Sequence, residues 1–258
     1  LVDEFSRIAK SPLMRSVAIA TRALVEASVE GELGEAGRIC EELAEHCRLA
    51  NLAHFEGVSW LNAALIHAAA ARMDRAKACG AWAIDALAAT SSRTELAAAR
   101  SLEATLVAWT GRPGDARQLF ESTLSELEAG PRVEFVSEYA EAEALFGDAD
   151  RAAHLLAARR RDELNSSTFL VRLIEAFVAF RKRDFAQAFT ALCDIELGHH
   201  NPLPGYQSRL LATRALAAVA LGHEDALVIA QHAIDAASRQ GARTAEAVGR
   251  LALGYETH

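Results

Sequence analysis

His199 and His200, adjacent in the chain, and Glu42 with His46, one helical turn apart, are the residues whose types could ligate a metal. Neither pair forms a set. A zinc centre draws on three or four donors, and no second group of His or Cys lies near His199 and His200 in sequence. A single Glu and His at i, i+4 are spaced as a helix-surface contact. Cys40, Cys47, Cys79 and Cys193 contain no CxxC pair and no ligand spacing with histidine, so they read as reduced thiols on helix faces or in the core. Arg159, Arg160 and Arg161 could hold an anion, but they fall near an expected helix C-terminus, where the macrodipole favours cations for structural reasons. The sequence has no GxSxG, no HExxH and no GxxxxGK[ST] phosphate loop, and its carboxylates follow helix-surface spacing. The expectation is a binding protein, not an enzyme, with no metal, no cofactor and no catalytic residue.

Composition narrows what is bound. A net charge of −8 gives no electrostatic reason to approach a phosphate backbone, so direct nucleic-acid binding is not expected. The longest run without a formal charge, Gly57 to Ala71, is 15 residues and is interrupted by Asn62 and His67, whereas a membrane span needs about 20. The chain begins with neither an initiator Met nor a signal-peptide pattern, and reads as a cytoplasmic segment of something longer.

The elements that must carry any binding surface are helical. Apolar residues make up 51% of the chain, with only five prolines and 6% aromatics, and alanine dominates among them, which favours closely packed helices over strands. A short turn followed by a helix start with alanine at a fixed offset recurs at Ala36, Ala76, Ala116, Ala152, Ala188 and Ala226, at spacings of 40, 40, 36, 36 and 38 residues. Flanking each turn are stretches with apolar residues at i, i+3, i+4 and i+7, such as Leu61, Ala64, Leu65 and Ala68. Each unit is therefore a helical hairpin. First helices are expected near 12–30, 53–71, 92–110, 131–146, 166–182 and 205–221, with partners near 34–50, 73–90, 114–129, 149–164, 185–197 and 224–240. Residues 241–258 make one further, unpaired helix, and 198–204 is the clearest loop. Gly111 and Gly147 are placed where a helix C-terminus needs positive φ. The whole of 1–258 is expected to be one solenoid domain, a fragment of a longer protein.

The turns resemble those of the tetratricopeptide family, whose signature there is Gly-Asp-aromatic-x-x-Ala. Gly147, Asp148 and Ala152 occupy three of those positions, and Asp184, Phe185 and Ala188 occupy three others. The chain departs from the family where the first helix usually carries Gly: Leu24, Ala64, Ala104, Ala140, Ala176 and Ala215 stand there instead. The Pro after the second helix is mostly missing, and the period exceeds the family's, which is about 34. With these departures the chain is similar to the Ala-rich repeats of large ATP-dependent LuxR-type transcriptional regulators of the MalT-like kind. In those proteins an inducer-sensing superhelix lies between an NTPase module and a DNA-binding domain.

That resemblance implies an all-α, right-handed superhelix of about six tetratricopeptide-like hairpins plus the unpaired C-terminal helix. Its concave wall would be built from fixed positions of the first helices. Counting back from the anchor alanines selects Ser101, Thr105 and Trp109 in the third pair, then Glu134, Ser137 and Glu141 in the fourth. The fifth supplies Phe177, Phe180 and Arg181, and the sixth Arg209. A Trp face beside carboxylates and guanidinium groups suits a small polar ligand such as a sugar, which stacks through its C–H faces while hydrogen bonds fix its orientation. Two functions stay open. One is effector sensing that biases contacts with the NTPase and DNA-binding modules of the parent chain. The other is a protein-interaction scaffold gripping a peptide or partner helix. An Asn- and Lys-lined carboxylate clamp would favour the second, and its absence favours the first.

Overall fold

The three- and four-residue spacing of apolar positions is realised as α-helix. The computed structural model describes residues 33–127, 132–162, 168–193 and 206–256, and no strand occurs among them. The helices are α1 (Leu33–Leu49), α2 (Ala53–Ala69), α3 (Met73–Ala88), α4 (Arg93–Trp109), α5 (Pro113–Glu126) and α6 (Arg132–Phe146), followed by α7 (Ala149–Asp162), α8 (Thr168–Arg181), α9 (Phe185–Cys193), α10 (Tyr206–Leu221), α11 (Ala226–Gln240) and α12 (Arg243–Glu256). The helix expected at 12–30 and the loop at 198–204, with His199 and His200, lie outside the described residues. So do the side chains of Glu134 and of Arg159, Arg160 and Arg161.

Short turns make consecutive helices antiparallel neighbours. The even-numbered helices also pack on one another in series, α2 on α4, α4 on α6, α6 on α8, α8 on α10 and α10 on α12. The series then closes, because α12 packs back against α2, where the Thr244 hydroxyl donates to the Ala68 carbonyl at 3.3 Å. The odd-numbered helices lie outside this inner layer, each packed chiefly against the helices that flank it in sequence. The apolar core runs through the closure: Trp60 and Leu61 share one buried cluster with Ala212, Ala242 and Ala245. Residues 241–258 were expected to have no partner. Within them α12 packs on α10, α11 and α2.

Alanine at the repeated offset is what lets the hairpins close. Ala36, Ala76, Ala116, Ala152, Ala188 and Ala226 are all at most 2% exposed. A small side chain at a helix crossing permits near approach without loss of helix propensity. Gly57 takes this to its limit, since a Cβ there would stand 2.5 Å from Leu87 Cγ across the contact of α2 with α3.

Within the hairpins the turn is conformationally repeated. Ala71, Gly111, Arg183 and Gly222 all adopt positive φ (58°, 82°, 62° and 69°). After each, the next N–H returns to a carbonyl in the last helical turn: Arg72 to His67, Arg112 to Val107, Asp184 to Ala179 and His223 to Ala218. This is the Schellman closure that satisfies orphan carbonyls at a helix end. Gly111 has the backbone its sequence predicts. Gly147 does not, because φ is not positive there. The α6–α7 turn is two residues long, and the Asp148 N–H donates instead to Glu143 Oε2 at 2.9 Å. Glycine is required at 147 for a different reason: a Cβ would collide with that Glu143 carboxylate.

Candidate functional site

The closed inner layer frames a half-open cavity of about 490 Å³. Its wall takes Met73 from α3, Trp109 from α4, Leu145 and Phe146 from the end of α6, and Phe177 and Phe180 from α8. Thr213 and Leu216 on α10 and Thr244, Ala245 and Val248 on α12 complete it. A smaller lobe of about 110 Å³ continues toward α2, lined by Leu61, Leu65, Leu102, Thr105, Glu138 and Glu141. Trp109 and Arg209 border both lobes.

Most charged groups on this wall have a protein partner, whereas the Trp109 indole Nε1–H is buried without one. The Arg209 guanidinium forms an ion pair with Glu141 and lies 5.9 Å from the Trp109 ring centroid, a cation–π contact. Glu141 is 9% exposed, so the pair sits largely out of water. Arg181 reaches across to the C-terminus of α6, donating to the Leu145 carbonyl at 2.9 Å and the Gly147 carbonyl at 3.0 Å. Because the α6–α7 turn lacks the Schellman bond, those carbonyls need a donor, and a cation at a helix C-terminus also matches the macrodipole. The Thr213 hydroxyl donates to the Arg209 carbonyl at 2.8 Å, one helical turn back.

The positions selected from sequence divide by depth along the inner helices. Thr105, Trp109, Glu141, Phe177, Arg181 and Arg209 are brought together on the cavity wall. Ser101 and Ser137, one turn nearer the helix starts, are at most 1% exposed and do not line it. There the small hydroxyl side chains are covered by neighbouring helices. Sequence reasoning missed the contribution of α12, because no anchor alanine follows it from which to count. It also missed Leu145 and Phe146, where the fourth hairpin's shortened turn alters the offset. Thr213 and Leu216 carried a usable signal, lying four and seven residues after Arg209 on one helical face.

A second cluster lies at the front of the array. Glu41 on α1, His67 on α2 and Cys79 on α3 present oxygen, nitrogen and sulfur atoms all within 4.8 Å of one another. Residues 26 and 38 positions from Glu41 on separate helices have no spacing signature, so nothing in the sequence announced them. The chemistry of the donor set admits a metal, but its partners describe a hydrogen-bonded ion pair. Arg75 grips both Glu41 oxygens at 2.6 Å, and His67 Nε2 donates to Oε1 at 2.6 Å. His67 Nδ1 is buried without a partner. A metal on Nε2 would drive the imidazole proton to that nitrogen, where no acceptor waits. The Arg75 guanidinium holds the Glu41 carboxyl below its usual range against the opposing effect of burial. Burial lowers His67 despite Glu41. Burial, reinforced by Glu41, raises the Cys79 thiol to about 12, and burial raises Cys40 to about 12 as well, so both remain protonated and unreactive at neutral pH.

No family model matches the chain, and no curated protein does either. The functional reading therefore rests on the cavity and on the repeat pattern. Among the described residues no helix is long and apolar enough to cross a membrane.

Proposed function

We propose that the chain is the effector-binding domain of a larger cytoplasmic transcriptional regulator, and that a small molecule occupying the inner cavity biases its contacts with other modules of the parent protein. The observation that carries this reading is the cavity of about 490 Å³. That size falls within the usual range of small-molecule sites, and aromatic side chains converge on it from α4, α6 and α8. In this reading the hairpins are tetratricopeptide-like units wound as a right-handed superhelix, tight enough for its inner helices to meet within one turn. The regulator context comes from the resemblance of the repeats to LuxR-type, MalT-like proteins, in which NTPase and DNA-binding modules flank the repeat region.

The peptide-gripping alternative has less support. It needs an open groove along the inner helices, and the contact of α12 with α2 obstructs the approach of an extended chain. Titration calorimetry of the parent and of a cavity-filled Leu216→Trp variant with N-phenyl-1-naphthylamine, a fluorescent apolar probe, tests the site. The account expects one binding event per chain in the parent and none in the variant, with circular dichroism unchanged. Equal binding by both folded proteins would remove the cavity from the reading.

A further inference from the structure

The sequence selects residues suited to a sugar, whereas the completed wall has a different chemistry. We propose that the cavity selects an uncharged, largely apolar molecule carrying an aromatic ring, and that this molecule ties α12 to the front of the array. The proposal rests on the effector reading above and specifies its ligand class.

Charge is disfavoured by what the wall already does with its ions. Arg209 is committed to Glu141 and stacked on Trp109. A ligand carboxylate could reach Arg209 only by displacing Glu141, which is 9% exposed and would be left as an uncompensated buried anion. Arg181 is committed to the α6 carbonyls, and taking it away would leave that helix end uncapped. A ligand cation meets the same difficulty at Glu141, which is already paired with Arg209.

A sugar is disfavoured by hydrogen-bond supply. The Thr213 and Thr244 hydroxyls both spend their single proton on backbone carbonyls. Each keeps oxygen lone pairs, and the buried, unpartnered Trp109 Nε1–H adds one donor. The wall can therefore accept from one or two ligand N–H or O–H groups and donate to one acceptor, but cannot satisfy the many hydroxyls of a saccharide. Apart from the committed guanidinium groups and the Trp109 N–H, the larger lobe is apolar, and the rings of Trp109, Phe177 and Phe180 favour an aromatic partner. One or two donor groups and a single acceptor on an apolar, aromatic framework match this inventory.

Closure follows from which elements the wall joins. Val248 and Thr244 belong to α12, Met73 to α3 and Trp109 to α4, so a molecule filling the lobe contacts the last inner helix and the front helices α3 and α4 at once. A direct closing hydrogen bond runs from Thr244 to Ala68, at 3.3 Å. An occupant therefore adds buried area across the junction of α12 with the front helices.

Hydrogen exchange of the full chain, read by mass spectrometry with three separate probes, tests both parts. N-phenyl-1-naphthylamine represents the uncharged aromatic class, laurate the anionic class and maltotriose the saccharides. The expected result is that the naphthylamine alone binds and slows exchange of residues 243–256 at least threefold. Binding of laurate or maltotriose at the cavity without the naphthylamine would overturn the ligand class while leaving the effector site standing. Naphthylamine binding with unchanged exchange in 243–256 would overturn the tie between α12 and the front helices. If none of the three binds, the ligand class and the effector reading fall together.

Discussion

Glu143 shows how much one side chain settles at the fourth turn. Its carboxylate is 4% exposed and receives Arg117 through two bonds of 2.6 and 2.8 Å, along with the Asp148 N–H. Burial raises its pKa, but Arg117 and the Asp148 N–H more than offset that and hold it below the usual carboxylate range. Glu143→Gln should cost about 1.5–3 kcal/mol, the usual loss for a hydrogen bond to a charged group, measured by urea denaturation. A midpoint equal to the parent's would show the pair to be ornamental. Gly37 is constrained in a similar way, because a Cβ would lie 2.8 Å from His67 Cε1. Gly37→Ala should destabilise by about 1–3 kcal/mol through overpacking. The pH dependence has a definite sign. His67 and the Glu41, Glu143 and Glu246 carboxyls all have folded pKa values lowered from ordinary values of 6.5 and 4.5, so the unfolded chain binds more protons. Stability should be full above about pH 6.5, decline as His67 is protonated on unfolding, and decline again below about pH 4.5 as the carboxyls follow. A thermal midpoint that rose on acidification from pH 7 to pH 5 would contradict these assignments.

At the scale of the element, the hairpin is what the sequence states most clearly. Turn-and-alanine periodicity placed α2 through α11 close to their observed bounds because helix propensity and 3.6-residue spacing are local. The anchors are buried because they sit where paired helices cross. The fourth turn was not legible. Gly147 looks like a positive-φ glycine, and only the intrusion of Glu143 reveals that it serves a close approach. Arg181 was selected as a ligand contact, yet its donors cap α6, a role that depends on a missing Schellman bond two helices away. Ala71 offers a direct test of turn strain. It holds φ of 58°, a region that disfavours residues with a Cβ. Ala71→Gly should stabilise by up to about 1 kcal/mol, less whatever the glycine adds to unfolded-chain entropy, and a clear loss in thermal midpoint would contradict the strain. Ala116→Phe should do the reverse, destabilising by about 1–3 kcal/mol where the anchor is 2% exposed.

For the whole molecule, curvature decides whether the selected residues make a groove or a cavity, and curvature is a sum of small rotations between hairpins that no single residue encodes. The sequence could therefore name Trp109, Phe177 and Arg209 but not the α12 residues that complete their wall. Closing the inner layer gathers these residues into a half-open, largely apolar cavity in which Arg209 is paired with Glu141 and Arg181 with the α6 carbonyls. This is why the ligand inferred from the wall differs from the one suited to the isolated side chains. The chain contains three tryptophans, and only Trp109 borders the cavity. Fluorescence quenching by N-phenyl-1-naphthylamine, compared between the parent and Trp109→Phe, tests the central claim most directly. The account predicts quenching in the parent that saturates at one equivalent, with most of the effect lost when Trp109 is replaced. Quenching that never saturates, or that is equal in the two proteins, would contradict a binding cavity at Trp109 on the inner helices.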